Sequence, residues 1–418
     1  MSPVPLGRLR RRIALVGGGV HVATLVDELS ARWPTATPVD LRLVARDASR
    51  LAVIAEHVRA RLAGPRPDWT VSATTHLDVG AAGVDAVVLM VRVGGLAARA
   101  GDEAFPAGFG LVGDEGLGPG GMANALRTVP VVADLGRTIA RVAPDAVVLN
   151  LTAPLPTTTR ALLDAGTDAV GLCELPLVVR DRLRDAPGGG PGGPLALAGL
   201  NHLSWWWCRD PADGPALRGA ALAARLVDRP TWDRYGAVPM PYYYRVLDPA
   251  AGARLGLVQP EGRAVQLAGL TERALDAMRA HPGSHVDPLS ERATPWFDRA
   301  VVPVLVAWCG GPDAAVTLDV RNGALLSMVP ADVVVEVPAT VSAGRVDPEP
   351  PGTVPSAAAD FIGHVARAED LVHRAATGAD ADPADPLSEA VAVLRPDLGA
   401  VDRGRLVGAI VRHGTVAA

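Results

Sequence analysis

Ile13-Ala14-Leu15-Val16-Gly17-Gly18-Gly19 is an apolar run that stops on three consecutive glycines. Successive apolar residues without polar alternation are what a strand buried on both faces requires. Glycines directly behind such a strand let the backbone approach a pyrophosphate, and the helix that follows offers unpaired N–H groups to it. This is the opening of a Rossmann-type unit, although the last glycine of the G-x-G-x-x-G pattern is replaced by Val22. An ordinary tight strand-to-helix turn would use the same glycines, so the turn by itself leaves both readings open.

The flanking sequence extends the pattern. A helix is expected from Ala23 to Arg32 and a second strand from Leu41 to Val44. Val84 to Val91, Asp145 to Asn150 and Val170 to Cys173 read as further buried parallel strands. Polar or glycine-rich residues follow three of them: Arg92-Val93-Gly94-Gly95, Asn150-Leu151-Thr152 and Cys173-Glu174. Ligands of open α/β sheets bind outside the carboxyl ends of the strands, so these segments point to one crevice. The expected fold class is α/β. A Rossmann-type doubly wound parallel sheet spans residues 1–172, and an α+β C-terminal domain spans residues 173–418. In that second region, strands are expected at Ala315–Val320 and Val333–Val337, and helices near Ala357–Ala376 and Pro386–Leu394. Pro187 to Pro194 reads as a surface insertion.

After the second strand, Asp47 is the candidate acid for the adenosine ribose, which would make the cofactor NAD. Arg46, Ser49 and Arg50 would instead suit a ribose 2′-phosphate and hence NADP, and Asp47 is equally placed to cap the next helix. The net charge of −5 argues against a nucleic-acid partner. No apolar run reaches the length of about eighteen residues that a membrane span needs. Three widely spaced cysteines, Cys173, Cys208 and Cys309, do not make a disulfide framework and suit a reducing cytoplasm. The basic stretch Arg8-Leu9-Arg10-Arg11-Arg12 reads as a solvated leader.

A set of segments in order resembles glycoside hydrolase family 4. Besides the glycine turn it comprises Arg92-Val93-Gly94-Gly95-Leu96-Ala97-Ala98-Arg99, Asp102-Glu103, Gly118-Pro119-Gly120-Gly121-Met122 and Ala125-Leu126-Arg127-Thr128-Val129-Pro130. Asn150-Leu151-Thr152, Gly171-Leu172-Cys173, Gly199-Leu200-Asn201-His202-Leu203, Pro241-Tyr242 and Glu336-Val337-Pro338 continue it, most similar to the 6-phospho-β-glucosidase branch. The resemblance implies a glycosidase outside the two-carboxylate scheme. NAD oxidises the sugar at C3, a base removes the acidified C2 proton, the glycosidic group leaves, water adds and the hydride returns. It also implies a homodimer or homotetramer acting on a small-molecule sugar.

Residue by residue, the resemblance implies Cys173 and His202 as ligands of Mn²⁺ or another divalent cation and Tyr242 as the C2 base. Without it, a buried cysteine and a backbone-bonded histidine would account for the first two, and thiolate is a soft partner for Mn²⁺. Tyr242-Tyr243-Tyr244-Arg245 departs from the family's Tyr-Leu-Arg-Tyr-Tyr, so an aromatic packing cluster is the competing account of the tyrosines. Glu174 stands where α-specific members carry an acid. Gly17, Gly18, Gly19, Asp47, Arg92 and Asn150 are assigned to the cofactor, and Arg99, Asn150, Asn201 and Arg292 to the sugar. Ala153 replaces a family asparagine, Asp114-Glu115-Gly116-Leu117 replaces Gln-Glu-Thr-Thr, and Asp298 replaces a serine. These departures leave the substrate open between a 6-phospho-β-glucoside and an unphosphorylated sugar. They also keep open an NAD(P)-dependent sugar dehydrogenase or epimerase, and a non-catalytic nucleotide-binding protein.

Overall fold

A computed structural model describes residues 10–33, 37–257 and 262–415. Of the basic N-terminal stretch, residues 8 and 9 lie outside the described residues. Arg11 and Arg12 are not leader but the first two residues of strand β1 (Arg11–Gly17). Arg11 is buried, and the backbone N–H of Arg12 donates to the Asp85 carboxylate at 2.8 Å.

The strands after β1 are β2 (Val39–Val44), β3 (Thr70–Thr74), β4 (Ala86–Met90), β5 (Val147–Asn150) and β6 (Asp168–Leu172). The second half of the chain contributes β7 (Leu195–Ala198), β8 (Trp205–Cys208), β9 (Val238–Pro239), β10 (Ala314–Arg321), β11 (Val334–Ser342) and β12 (Arg345–Pro348). β1 to β6 pair in parallel in the order β3-β2-β1-β4-β5-β6, the order of a dinucleotide-binding fold. The expected Rossmann-type sheet is therefore present. The boundary expected at 172/173 falls at the end of β6, yet the same sheet continues past it: β10, β11 and β12 add antiparallel, with Leu318 opposite Leu172 and Asp319 opposite Gly171. A separate antiparallel sheet, β7-β8-β9, supplies the α+β character of the second half.

The alternation of β1 explains its packing. Ile13 and Leu15 face a core shared with Leu25 and Leu29 of helix α1 (Val22–Arg32) and with Val302 and Leu305. Ala14 and Val16 face the other core, with Met122, Val129 and Ile139 of the long helix Gly118–Val142. Leu29 is fully buried, so its truncation to alanine is expected to cost about 2–5 kcal/mol. Both cores draw on the two halves of the chain, because helix Ser356–Thr377 places Ala368, Leu371 and Val372 beside the N-terminal sheet. No helix among the described residues is long and apolar enough to cross a membrane. All three cysteines are free and buried.

Candidate active site

One crevice of roughly 810 Å³ opens at the carboxyl ends of β1, β2, β4 and β6. The glycine turn forms one end. Gly17 and Gly18 have φ of 82° and 80°, a left-handed conformation that favours glycine. A Cβ on Gly17 would stand 2.4 Å from the Met90 carbonyl oxygen, so the turn also needs glycine for space. The chain passes through one tight turn, Gly19–His21, into α1, whose first N–H groups receive no side-chain cap. They are available to an anion in the crevice.

Past β2, Asp47 does not reach the crevice. It caps helix α2 (Ala48–Leu62), its carboxylate accepting from the Ser49 and Arg50 backbone N–H groups at 3.0 Å each. The ribose-acid assignment is thereby corrected: this carboxylate is occupied by its own helix. Arg46 and Arg50 line the crevice instead. Asn150 is corrected for a similar reason. It is fully buried, its amide donates to Thr158 and Thr159, and its carbonyl oxygen accepts from the Thr152 N–H. No polar atom is left for cofactor or sugar.

Arg92 and Arg99 do line the crevice, but both are engaged. Glu115 pairs with Arg92 and with Arg99 (2.7 Å), and Arg99 is also bound by Glu103 at 2.6 Å. Arg292 differs. It stacks on Trp296 at 4.9 Å and reaches the His21 ring nitrogen at 3.3 Å, without a carboxylate partner among the described residues. Arg263, at the start of helix Arg263–Ala280, lines the same crevice with no ion pair or hydrogen bond among the described residues. Burial and the neighbouring Arg263 and Arg99 charges lower Arg292 to about 10. Two mutually repelling guanidinium groups without an ion pair have the chemistry to receive an anion. No sequence signal distinguished Arg263, because a run of residues does not say which arginine lacks a partner. Asp298 does not line the crevice and faces Arg32 at 3.6 Å.

Cys173, Glu174, Asn201, His202 and Tyr242 are brought together in the crevice. Cys173 and Glu174 follow β6 directly, and His202 lies on the turn between β7 and β8. Tyr242 opens the short helix Pro241–Val246. The His202 and Tyr242 rings stack, 4.1 Å between centroids. Tyr243 and Tyr244 point instead into the aromatic core with Trp205, Tyr235 and Phe361, which selects Tyr242 from the triplet. Arg245 lies 5.9 Å over the Tyr242 ring and pairs with Asp114 at 3.4 Å.

Burial dominates the protonation of these groups. It lowers His202 to about 4, pushes Tyr242 up to about 12, and raises the Cys173 thiol and the Glu174 carboxyl above their usual ranges. A neutral His202 is the form that binds a metal, and neither ring nitrogen carries a hydrogen bond among the described residues. The His202 nitrogen is thus in its ligating form, whereas the Cys173 thiol would have to lose its proton to bind a divalent ion. Among the described residues no cluster of three His, Cys, Asp or Glu could hold one, so further donors would come from substrate or water.

Two family models cover most of the chain: the family 4 glycosyl hydrolase model matches residues 12–188, and the C-terminal domain model of the same family matches residues 197–384. The chain belongs to glycosyl hydrolase family 4. A maltose-6′-phosphate glucosidase of Bacillus subtilis (strain 168) is 31% identical over 203 residues, covering 46% of this chain and 44% of the relative. The match thus spans under half the length of that family 4 relative. A probable 6-phospho-beta-glucosidase of the same organism is 25% identical over 71% of this chain and 72% of its own. Among solved folds, a Thermotoga maritima 6-phospho-beta glucosidase with manganese, NAD⁺ and glucose-6-phosphate superposes with a TM-score of 0.79 at 20% identity. That superposition covers 96% of this chain and 98% of the other.

Proposed function

We propose that this family 4 glycosyl hydrolase cleaves the glycosidic bond of a 6-phosphorylated glucoside, with a nicotinamide dinucleotide and a divalent cation, Mn²⁺ by preference. The observation that carries the reading is the convergence, in one crevice, of the glycine turn, the Cys173/His202/Tyr242 group and the unpaired Arg263 and Arg292. The relatives named for phosphorylated glucosides, and the neighbour that holds NAD⁺ and manganese, support it. When bound, the dinucleotide would take and return a hydride at C3, and the cation would stabilise negative charge on the C2 and C3 oxygens.

The chain's own residues have separable tasks. The glycine turn and the uncapped start of α1 receive the pyrophosphate. Cys173 and His202 would hold the cation. Arg263 and Arg292 bind the sugar phosphate, which answers their mutual repulsion and favours the phosphorylated sugar of the two alternatives. Tyr242 removes the C2 proton. At about 12 it is a poor base by itself, so the Arg245 charge over its ring and a nearby cation must favour the phenolate. Glu174, raised by burial, keeps its proton longer than an exposed glutamate and donates it to the leaving oxygen.

The test incubates purified protein with NAD⁺, Mn²⁺ and a thiol reductant. Phosphorylated and plain α- and β-glucosides are offered in parallel. Aglycone release confined to phosphorylated members, and abolished in Cys173→Ala and His202→Ala, is expected. Release from plain glucosides only, or full activity in either variant, contradicts the reading.

A further inference from the structure

Glu336 lies outside the crevice and none of the roles above uses it, yet it is wholly buried directly behind the turn that carries His202. That turn is tight. The Leu203 N–H closes onto the Leu200 carbonyl at 2.8 Å, and a Cβ on Gly199 would stand 2.5 Å from the Ser204 Cα. His202 occupies its third position with φ of 67°, where glycine or asparagine is usual because a Cβ crowds the backbone. Such a conformation is strained and persists only when its surroundings over-determine it.

Glu336 supplies that constraint from both sides of His202. One carboxylate oxygen accepts from the Asn201 amide at 2.9 Å, and the other accepts a short hydrogen bond from the Ser204 hydroxyl. The backbone joins in: the Glu336 N–H donates to the Gly199 carbonyl at 2.8 Å. Directly opposite on β10 is Asp319, which reaches the same Asn201 amide only at 3.5 Å and leaves one buried oxygen without a partner. Two carboxyls this deeply buried and adjacent cannot both be charged. Burial raises both, Asp319 well above the carboxylate range and Glu336, eased by its two donors, only to about 7, which makes Glu336 the acceptor of the pair.

We propose that Glu336 is a positioning residue. By gripping Asn201 and Ser204 it clamps the 199–204 turn and holds the His202 ring in the left-handed, Tyr242-stacked orientation needed for metal binding. The metal part rests on the function proposed above; the clamp itself does not. Outer partners of this kind typically contribute 10–100-fold to metal affinity.

The test uses the full chain with ¹³Cε1-labelled histidine. The His202 signal, identified by its absence in His202→Ala, is displaced by the Tyr242 ring current. Glu336→Ala is expected to lose that displacement and Glu336→Gln, which retains an acceptor, to keep most of it. Mn²⁺ titrated into the metal-free chain is expected to bind at least 10-fold more weakly to Glu336→Ala, with dinucleotide affinity unchanged. Should Glu336→Ala fail to fold, Ser204→Ala removes one grip alone and is expected to move the same signal part-way. An unmoved His202 signal in the variant that folds overturns the clamp whether or not metal binds. A normal clamp signal in a wild type that binds no Mn²⁺ overturns the metal assignment instead.

Discussion

Arg263 and Arg292 carry the proposed substrate assignment, since each presents a guanidinium to the crevice without an ion pair among the described residues, although the Glu174 carboxyl lies within reach of the Arg292 charge. A charge-assisted contact is worth about 1.5–3 kcal/mol, or about 10–100-fold in affinity. Arg263→Ala is therefore expected to raise KM for a 6-phosphoglucoside by that factor while leaving dinucleotide affinity intact, as steady-state kinetics and a binding titration would measure. At the other end of the crevice, Asp47 is spent on the α2 cap, and Arg46 and Arg50 line the crevice, Arg50 while paired with Glu272 at 2.8 Å. The chain is expected to bind NADP⁺ no more weakly than NAD⁺ by calorimetry; a tenfold preference for NAD⁺ would contradict this reading of the two arginines. These residues also mark how far sequence reaches. Cys173, Glu174, Asn201, His202, Tyr242 and Arg292 were legible through their motifs and do line the crevice. Asn150 and Asp298 were misread, because a residue's address at a strand end or in a motif does not reveal which partner its side chain has already taken.

At the scale of elements, legibility followed burial. β1, β4, β5 and β6 are covered on both faces and therefore stand out as apolar runs, while β2, Val-Asp-Leu-Arg-Leu-Val, alternates buried and partly exposed residues. β3, Thr-Val-Ser-Ala-Thr at the sheet edge, is largely solvated and gave no such signal. Helix Ser356–Thr377 was expected from its periodicity, but not the placement of Glu369, which faces a small apolar cavity of roughly 60 Å³ behind Gly116 and Leu117. Burial raises Glu369 from the ordinary 4.5 to about 7. Between those values the native chain holds a proton that the unfolded chain has lost. Its contribution to stability is thus full below about pH 4.5 and is lost as pH rises through about 7. Glu369→Gln cannot ionise. Its melting temperature is expected to match wild type near the lower pH and to exceed it at pH 8, by up to about 3 kcal/mol in stability. An equal difference at both pH values would contradict the assignment.

Across the whole molecule, the two halves are joined where the chemistry is. β10 pairs with β6, and the crevice takes its glycine turn from the first half and His202, Tyr242, Arg263 and Arg292 from the second. Shared cores predict one cooperative transition: tryptophan fluorescence, dominated by Trp205, Trp206, Trp207, Trp232, Trp296 and Trp308 of the second half, should report the same denaturant midpoint as far-UV circular dichroism. Separated midpoints would show that the halves unfold independently. The central claim is that this crevice breaks a glycosidic bond by way of C2 deprotonation at Tyr242. Hydrolysis of a 6-phosphoglucoside in D₂O with the dinucleotide and Mn²⁺, followed by NMR of the released sugar phosphate, tests it most directly. Deuterium at C2 of the product is expected, with loss of both exchange and cleavage in Tyr242→Phe. Efficient cleavage that leaves the C2 proton in place would contradict it.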